Sequence, residues 1–130
     1  MNEKLTPKER GLIKGAIRRV FARSDLRRQV VDAAKITGHS DLSRPRVKSW
    51  VRCAECKQPE AKSYCAVDHM IPLIPLDSSL EEMTWDELID RLWCDIKNLQ
   101  LLCEGCHDSK TKAESKIRRE FKKRKKLNVK

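Results

Sequence analysis

The sequence has few apolar residues and no long apolar run. Hydrophobic residues make up 39% of the 130-residue chain and charged residues 37%, so one domain of this length has only a small core. A structural metal ion would compensate for such a core. No window of 18 residues is apolar, and the chain begins with polar residues rather than with a signal-peptide segment. We therefore expect a cytoplasmic protein without a membrane partner.

Acidic residues are scarce at both ends of the chain. Residues 1–52 contain 14 lysines and arginines against 5 acidic residues, residues 53–106 contain 4 against 11, and residues 107–130 contain 11 against 3. An acidic centre between two basic arms is typical of a metal site flanked by surfaces that hold a polyanion. Nucleic acid is the polyanion that this pattern favours. The alternative is a basic protein whose charges only face solvent.

Four of the six cysteines form two Cys-x-x-Cys pairs, Cys53/Cys56 and Cys103/Cys106. In a cytoplasmic protein this spacing favours metal thiolates over disulfides. The two pairs together complete a tetrahedral Zn²⁺ site with no open position, which is typical of a structural zinc. His107 could replace Cys106 on the zinc, although Cys106 already fills the expected spacing. The second pair with His107 also matches a haem c attachment motif, but that would leave the first pair without a partner.

Two helix signals precede the first cysteine pair. The capping box at Thr6 and the cap at Ser24 each predict the start of a helix, and Gly38 predicts the end of the second. We therefore expect a basic N-terminal helical hairpin with its linker over residues 1–48, the linker itself being residues 37–48. Arginines cluster near the turn of this hairpin, and they either contact phosphate or face solvent: Arg18, Arg19, Arg23, Arg27 and Arg28.

Beyond the linker, the sequence predicts a β-hairpin and two further helices. Residues 49–52 and 64–67 have the pattern of its two strands. Thr84 caps a third helix whose apolar stripe indicates core packing. An extended segment then leads to the second cysteine pair, and a last helix begins at about Cys106. We expect this helix to fray into a basic C-terminal tail over residues 122–130.

Three stretches around the cysteine pairs have a distinctive order. They are Cys53-Ala54-Glu55-Cys56, Val67-Asp68-His69-Met70-Ile71-Pro72 and Asn98-Leu99-Gln100-Leu101-Leu102-Cys103-Glu104-Gly105-Cys106-His107-Asp108-Ser109-Lys110-Thr111. A histidine ends a strand, an asparagine precedes the second pair, and a histidine begins a helix. This arrangement resembles the HNH (His-Me finger) branch of the ββα-metal nucleases. The resemblance covers about residues 49–115, and the arginine-rich stretch before it resembles small phage-type HNH endonucleases.

The resemblance implies an α+β fold in which a zinc site of four cysteines stabilises a ββα-metal core over residues 49–121. It implies that His69 is the general base that takes a proton from the attacking water, and that Asn98 holds the imidazole or its loop in position. Asp68 and His107 then bind a catalytic divalent ion such as Mg²⁺ or Mn²⁺. The expected function is hydrolysis of DNA phosphodiester bonds, with RNA left open as a substrate. A monomer with one such site is expected to nick rather than to cut both strands.

Five basic or hydroxyl side chains near the C-terminus are candidates for phosphate contacts. They are Lys110 and Thr111, one turn into the last helix, and Lys122, Lys123 and Arg124 in the tail. Solvent exposure is the alternative for the first two. A nuclease core of this kind is compatible with several biological roles, and a phage packaging machine is one candidate partner.

One geometric objection concerns Asp68 and His69. Adjacent residues in a regular strand point to opposite faces, so the two side chains can share a site only if the strand twists or ends there. The rival function is a non-catalytic zinc-ribbon-like module that binds nucleic acid, which needs the cysteines and the basic arms but not the four candidate catalytic residues together. A protein-interaction adaptor fits the cysteine pairs but not the charge.

Overall fold

The protein has a mixed α and β fold, as the sequence predicts, in a computed structural model that describes residues 4–128. Its helices in this range are α1 Pro7–Phe21, α2 Asp25–Ala33, α3 Trp85–Leu92 and α4 Glu104–Asn128. Its strands are β1 Lys35–Ile36, β2 Trp50–Arg52, β3 Pro59–Ala61, β4 Cys65–His69 and β5 Leu99–Cys103. Over the same range, no helix combines the length and apolar character that crossing a membrane requires.

Side-chain caps fix the starts of the first three helices. The Thr6 hydroxyl accepts a hydrogen bond from the Glu9 N–H at 3.1 Å, and the Glu9 carboxylate accepts one from the Thr6 N–H at 3.0 Å. Ser24 and Thr84 each accept from the N–H group three residues further on. Each such cap stabilises its helix by about 1 kcal/mol. These three starts are therefore confirmed.

Two helix ends differ from the prediction. Gly38 does not end α2, because the helix stops at Ala33 and the chain continues into β1, which pairs with β2. Gly38 instead lies in the turn after β1 with a φ of +76°, a conformation that favours glycine. The predicted fraying after residue 121 is also wrong, since α4 continues to Asn128. Residues 129–130 lie outside the described part of the chain.

The strands form two antiparallel sheets rather than the predicted hairpin. In the first sheet β2 lies between β1 and β3, and in the second β4 pairs with β5 from Cys65↔Cys103 to His69↔Leu99. The pairing predicted between residues 49–52 and 64–67 is therefore wrong. The reason is the turn at the first cysteine pair, closed by a hydrogen bond from the Cys53 N–H to the Gln58 carbonyl at 3.1 Å, which folds β3 back onto β2.

The core lies where α3 packs against the N-terminal helices and the strands. Leu88 and Leu92 of α3 are fully buried, and they form one cluster with Phe21 of α1, Val31 of α2 and Leu101 of β5. Fully burying each leucine contributes about 1.5–3 kcal/mol. The helical hairpin is thus bound to the rest of the protein by a shared core. Two cysteines outside the paired motifs, Cys65 and Cys94, also pack against this cluster.

Candidate active site and metal centre

The sulfur atoms of the four paired cysteines converge at one point. The first pair lies in the turn after β2, and the second spans the end of β5 and the first turn of α4. All four Sγ atoms lie within 4.8 Å of one another, and those of Cys56 and Cys103 are 3.9 Å apart. Ligands on a tetrahedral zinc ion at ~2.3 Å are about 3.8 Å apart. The cluster therefore has the size and the donor set to hold a metal ion of this kind.

The pKa values of two of these thiols shift in opposite directions because of hydrogen bonds within the cluster. Burial opposes ionisation of Cys53, but hydrogen bonds from the backbone N–H groups of Cys103 and Cys56 outweigh it and lower the pKa of the Cys53 thiol to about 6. The pKa of the Cys106 thiol shifts the other way. A hydrogen bond shared with Cys103, together with burial, raises it to about 12. Four adjacent thiolates repel one another unless a cation lies between them. A dication would relieve that repulsion.

His107 is not a member of the cysteine cluster. Across residues 4–128, the four cysteines form the only group of three or more histidine, cysteine or acidic side chains close enough to hold a metal ion. His107 lies on α4 directly after Cys106, and its side chain borders a cavity instead. The alternative in which His107 replaces Cys106 as a ligand is therefore wrong.

The cavity beside the cysteine cluster, called the cleft below, has a volume of about 670 Å³. Asp68 and His69 reach it from the end of β4, and His107 and Thr111 reach it from α4. Asp68 and His69 both line the cleft, although both are paired in regular register within β4, Asp68 with Gln100 and His69 with Leu99. Three of the four candidate catalytic residues thus line one cleft.

His69 is held rigidly at the wall of the cleft. Its side chain is only 7% exposed, and its ring lies 5.5 Å from that of Phe21. Its Nε2 atom lies 2.9 Å from the main-chain carbonyl oxygen of Leu92. A carbonyl oxygen can only accept a hydrogen bond, so Nε2 carries the proton in the neutral ring. The Nδ1 atom then has the free lone pair that a general base requires.

Asn98 does not border the cleft but holds the loop that leaves it. Its Oδ1 atom accepts a hydrogen bond from the Ile71 N–H at 2.8 Å, and its main-chain carbonyl accepts one from the Met70 N–H at the same distance. These two residues directly follow His69. Of the two positions considered from the sequence, imidazole or loop, the geometry therefore supports the loop.

Lys110, one of the candidate phosphate contacts, bonds to protein groups. Its Nζ atom lies 3.3 Å from Oδ2 of Asp68, donates to the His69 carbonyl at 3.1 Å and pairs with Glu114. Partial burial disfavours the lysine charge, but Glu114 and Asp68 together outweigh it and raise the pKa of Lys110. Gln100 also donates to Oδ2 of Asp68 at 3.0 Å. Lys110 therefore holds the end of β4 against α4.

Basic side chains from α1 and α4 border the same cleft. They are Lys14, Arg18, Arg118, Arg119 and Lys122. Partial burial and the nearby charges of Arg18 and Arg118 lower the pKa of Lys14, which shows that the cations are crowded. Such a wall attracts a polyanion. Of the candidate phosphate contacts, Thr111 and Lys122 border the cleft, whereas Lys123 and Arg124 do not.

Sequence reasoning missed several residues of the cleft. Lys14, Arg118 and Arg119 were not singled out as candidates, nor was Glu114 assigned to the site. The available signal was helical spacing, because residues four apart lie on one face of a helix. Lys14 and Arg18 are so related on α1, as are Arg118 and Lys122 on α4.

Comparison with known proteins supports the predicted resemblance. Over 67 residues, or 51% of the chain, the sequence is 36% identical to a protein from Lactococcus phage SK1 named "Probable HNH endonuclease". The aligned region covers 60% of that protein, so the chain spans less than two thirds of its relative's length. No family model and no solved structure matches the chain. This similarity, with the four-cysteine cluster, confirms the resemblance to HNH endonucleases.

Proposed function

We propose that the protein is a metal-dependent HNH endonuclease that hydrolyses phosphodiester bonds in DNA. The observation that carries this proposal is the cleft, which Asp68, His69 and His107 line together with five basic side chains. The similarity to the phage protein supports the same function. The basic wall suits a phosphodiester backbone, and the three side chains provide the groups that hydrolysis of such a backbone requires.

His69 is the proposed general base. The hydrogen bond from Nε2 to the Leu92 carbonyl fixes the tautomer, so Nδ1 is available to take a proton from water. Burial and the contact with Phe21 restrict rotation of the ring. Asn98 contributes indirectly, because it fixes the loop that follows the base. We therefore assign His69 to proton transfer and Asn98 to positioning.

Asp68 and His107 are the proposed ligands of the catalytic divalent ion. The hydrogen bonds of Asp68 use Oδ2, which leaves Oδ1 for a metal ion. Two protein ligands suit Mg²⁺, which usually keeps several waters and takes further oxygens from substrate phosphates. Mixed oxygen and nitrogen ligands also admit Mn²⁺. When bound, the ion supplies charge neutralisation at the scissile phosphate and the leaving oxygen.

The four cysteines are the proposed structural zinc site. The distances between their Sγ atoms match those of four thiolates around one zinc ion, which leaves no coordination position for a substrate. The division of the chain at residues 48 and 121, the monomeric state, the cytoplasmic location and a phage packaging partner stay predictions.

The test is a plasmid-nicking assay with Mg²⁺ or Mn²⁺ and with metal chelated by EDTA. We expect cleavage only with metal, and His69→Ala to lower its rate by about a hundredfold or more. His39→Ala is the matched control, because His39 lies outside the cleft and is exposed. Circular dichroism and zinc content should be unchanged in both variants.

Two outcomes would contradict the proposal. If His69→Ala cleaved as fast as the control, His69 would not be the base. If the zinc-loaded wild-type protein bound DNA but cleaved it with neither metal, the rival function of a zinc-ribbon-like binding module would be favoured instead.

A further inference from the structure

A second cavity, of about 570 Å³, lies at the opposite end of β4 from the candidate catalytic residues. Cys65, the first residue of β4, borders it, whereas His69, the last, borders the cleft. A strand rises about 3.3 Å per residue, so these two residues are roughly 13 Å apart. Among the described residues that line the second cavity, none is acidic.

Four basic side chains reach this cavity from three separate segments. Arg27 comes from α2, Arg46 and Lys48 from the linker, and Lys62 from the turn before β4. In the part of the chain that the structure describes, the side chains of these four residues make no ion pair and no hydrogen bond. Nearby Arg28, by contrast, is paired with Asp25 at 2.6 Å. The cavity therefore concentrates positive charge that no carboxylate within residues 4–128 offsets by an ion pair.

An exposed aromatic ring completes the cavity. Tyr64 lines it and is 55% exposed. The guanidinium of Arg44 lies 5.2 Å from the centre of the Tyr64 ring and 5.3 Å from that of Trp50. Arg44 is itself fixed by an ion pair with Glu60 at 2.7 Å. The tyrosine is thus supported by the protein while more than half of it remains accessible.

We propose that this second cavity binds backbone phosphates of the nucleic acid whose scissile bond occupies the cleft. The inference rests on the proposed nuclease function and extends it to a separate binding site. A basic cavity without ion pairs suits phosphate groups, and an exposed aromatic ring beside it offers a surface on which a base can stack where the strand is locally unpaired. An acidic protein segment would satisfy the charges but would not need the ring.

The first test compares two double variants of the zinc-loaded full-length protein in a salt titration of duplex DNA binding. Arg46→Gln/Lys62→Gln removes two charges from the second cavity. Lys8→Gln/Lys116→Gln removes two exposed charges that border neither cavity. Each phosphate contact adds ~0.9 to the slope of log affinity against log salt, so the first variant should lower that slope by up to about 1.8. The control should change it little and should cleave saturating DNA at the wild-type single-turnover rate.

The second test measures acetylation of individual lysines by mass spectrometry. DNA should protect Lys48 and Lys62 from acetylation but leave Lys8 and Lys116 reactive. Inorganic phosphate at the same phosphate concentration should not protect them, because a single ion cannot contact several sites at once as a polymer does. Protection by phosphate alone would overturn the proposal in favour of a small-anion site. Protection by polyglutamate but not by DNA would overturn it in favour of an acidic protein partner.

The two tests separate this inference from the nuclease proposal. Equal salt slopes for the two double variants, with cleavage intact, would overturn the second cavity as a phosphate site and leave the nuclease standing. A lower slope only in the cavity variant, in a protein that never cleaves, would support the cavity and overturn the nuclease. Failure of the wild-type protein to bind DNA would overturn both.

Discussion

The two candidate metal sites differ in how far the protein itself completes them. The cysteine cluster gathers four ligand atoms of one kind within 4.8 Å, and the two cysteine pairs contribute two each. The cleft brings together Asp68 and His107, and Lys110 provides positive charge beside the carboxylate. A structural site must be saturated by the protein, whereas a catalytic site needs room for water and substrate. The difference agrees with the roles proposed for them, a structural metal at the cysteines and a catalytic one in the cleft.

The largest expected effect tests the cysteine cluster. Cys53→Ser should unfold much of the domain, since a structural zinc contributes on the order of 10 kcal/mol to small modules. Cys94→Ser is the control, because Cys94 is a packed thiol outside the cluster. Thermal melts and zinc content are the measurements. A Cys53→Ser protein that melts like the control without zinc would show that the cluster does not hold the fold.

A smaller effect is expected at Lys110, which sharpens the comparison between the two metal sites. Lys110→Met leaves Asp68 and Glu114 without their shared cation and should cost about 1–2 kcal/mol, because the pairs are only partly buried. Added Mg²⁺ or Mn²⁺ should raise the melting temperature of this variant more than that of the wild type. Lys112→Met, exposed on the same helix, is the control. If added metal raised the melting temperatures of the wild type and of both variants equally, the ammonium group of Lys110 would not compete with a metal ion for the carboxylate of Asp68.

The effect on stability should be smaller still at Asn98, which acts through the loop after the base. Asn98→Ala removes the acceptor for the Ile71 N–H and should lower stability by about 0.5–1.5 kcal/mol, since this hydrogen bond is exposed and water can replace the acceptor. It should also slow cleavage without changing DNA affinity. Asn98→Asp keeps the acceptor and should restore part of the rate. If both variants cleaved equally slowly, the Ile71 hydrogen bond would not explain the role of Asn98.

The smallest effect on the fold is expected from shortening α4 at its C-terminal end, a change that removes no ligand of either candidate metal site. Deleting residues 122–130 should reduce the slope of log DNA affinity against log salt by a few units, at ~0.9 for each phosphate that is no longer neutralised. All DNA sequences should be affected alike, because such contacts do not read bases. The single-turnover rate at saturating DNA should change little. A collapsed rate would show that the deleted segment, which includes Lys122 at the border of the cleft, contributes to the site itself.

The parts of the fold that depend on neighbouring residues were predictable from sequence. Caps at Thr6, Ser24 and Thr84 act over three residues, and the Cys-x-x-Cys spacing is equally local. The strand partners were not predictable, because Cys65 pairs with Cys103, 38 positions away in sequence, and no turn signal connects them. The same applies to Lys110 and Asp68, which meet only after β4 packs on α4. Helix caps and cysteine spacing can therefore be predicted from neighbouring residues, whereas strand pairing depends on how the whole chain packs.

The single long helix α4 has a mechanical consequence. It begins at Glu104, carries Cys106 of the cysteine cluster in its first turn, and extends beyond Lys122 at the border of the cleft to Asn128. At 1.5 Å per residue, Cys106 and Lys122 are about 24 Å apart along the helix axis. The outer part of α4 is tethered as well, because Arg118 donates to the carbonyls of Ile74 and Pro75 and Lys125 donates to that of Asp77. The helix is therefore a rigid spacer that fixes how far the cations of its outer turns lie from the cysteine cluster.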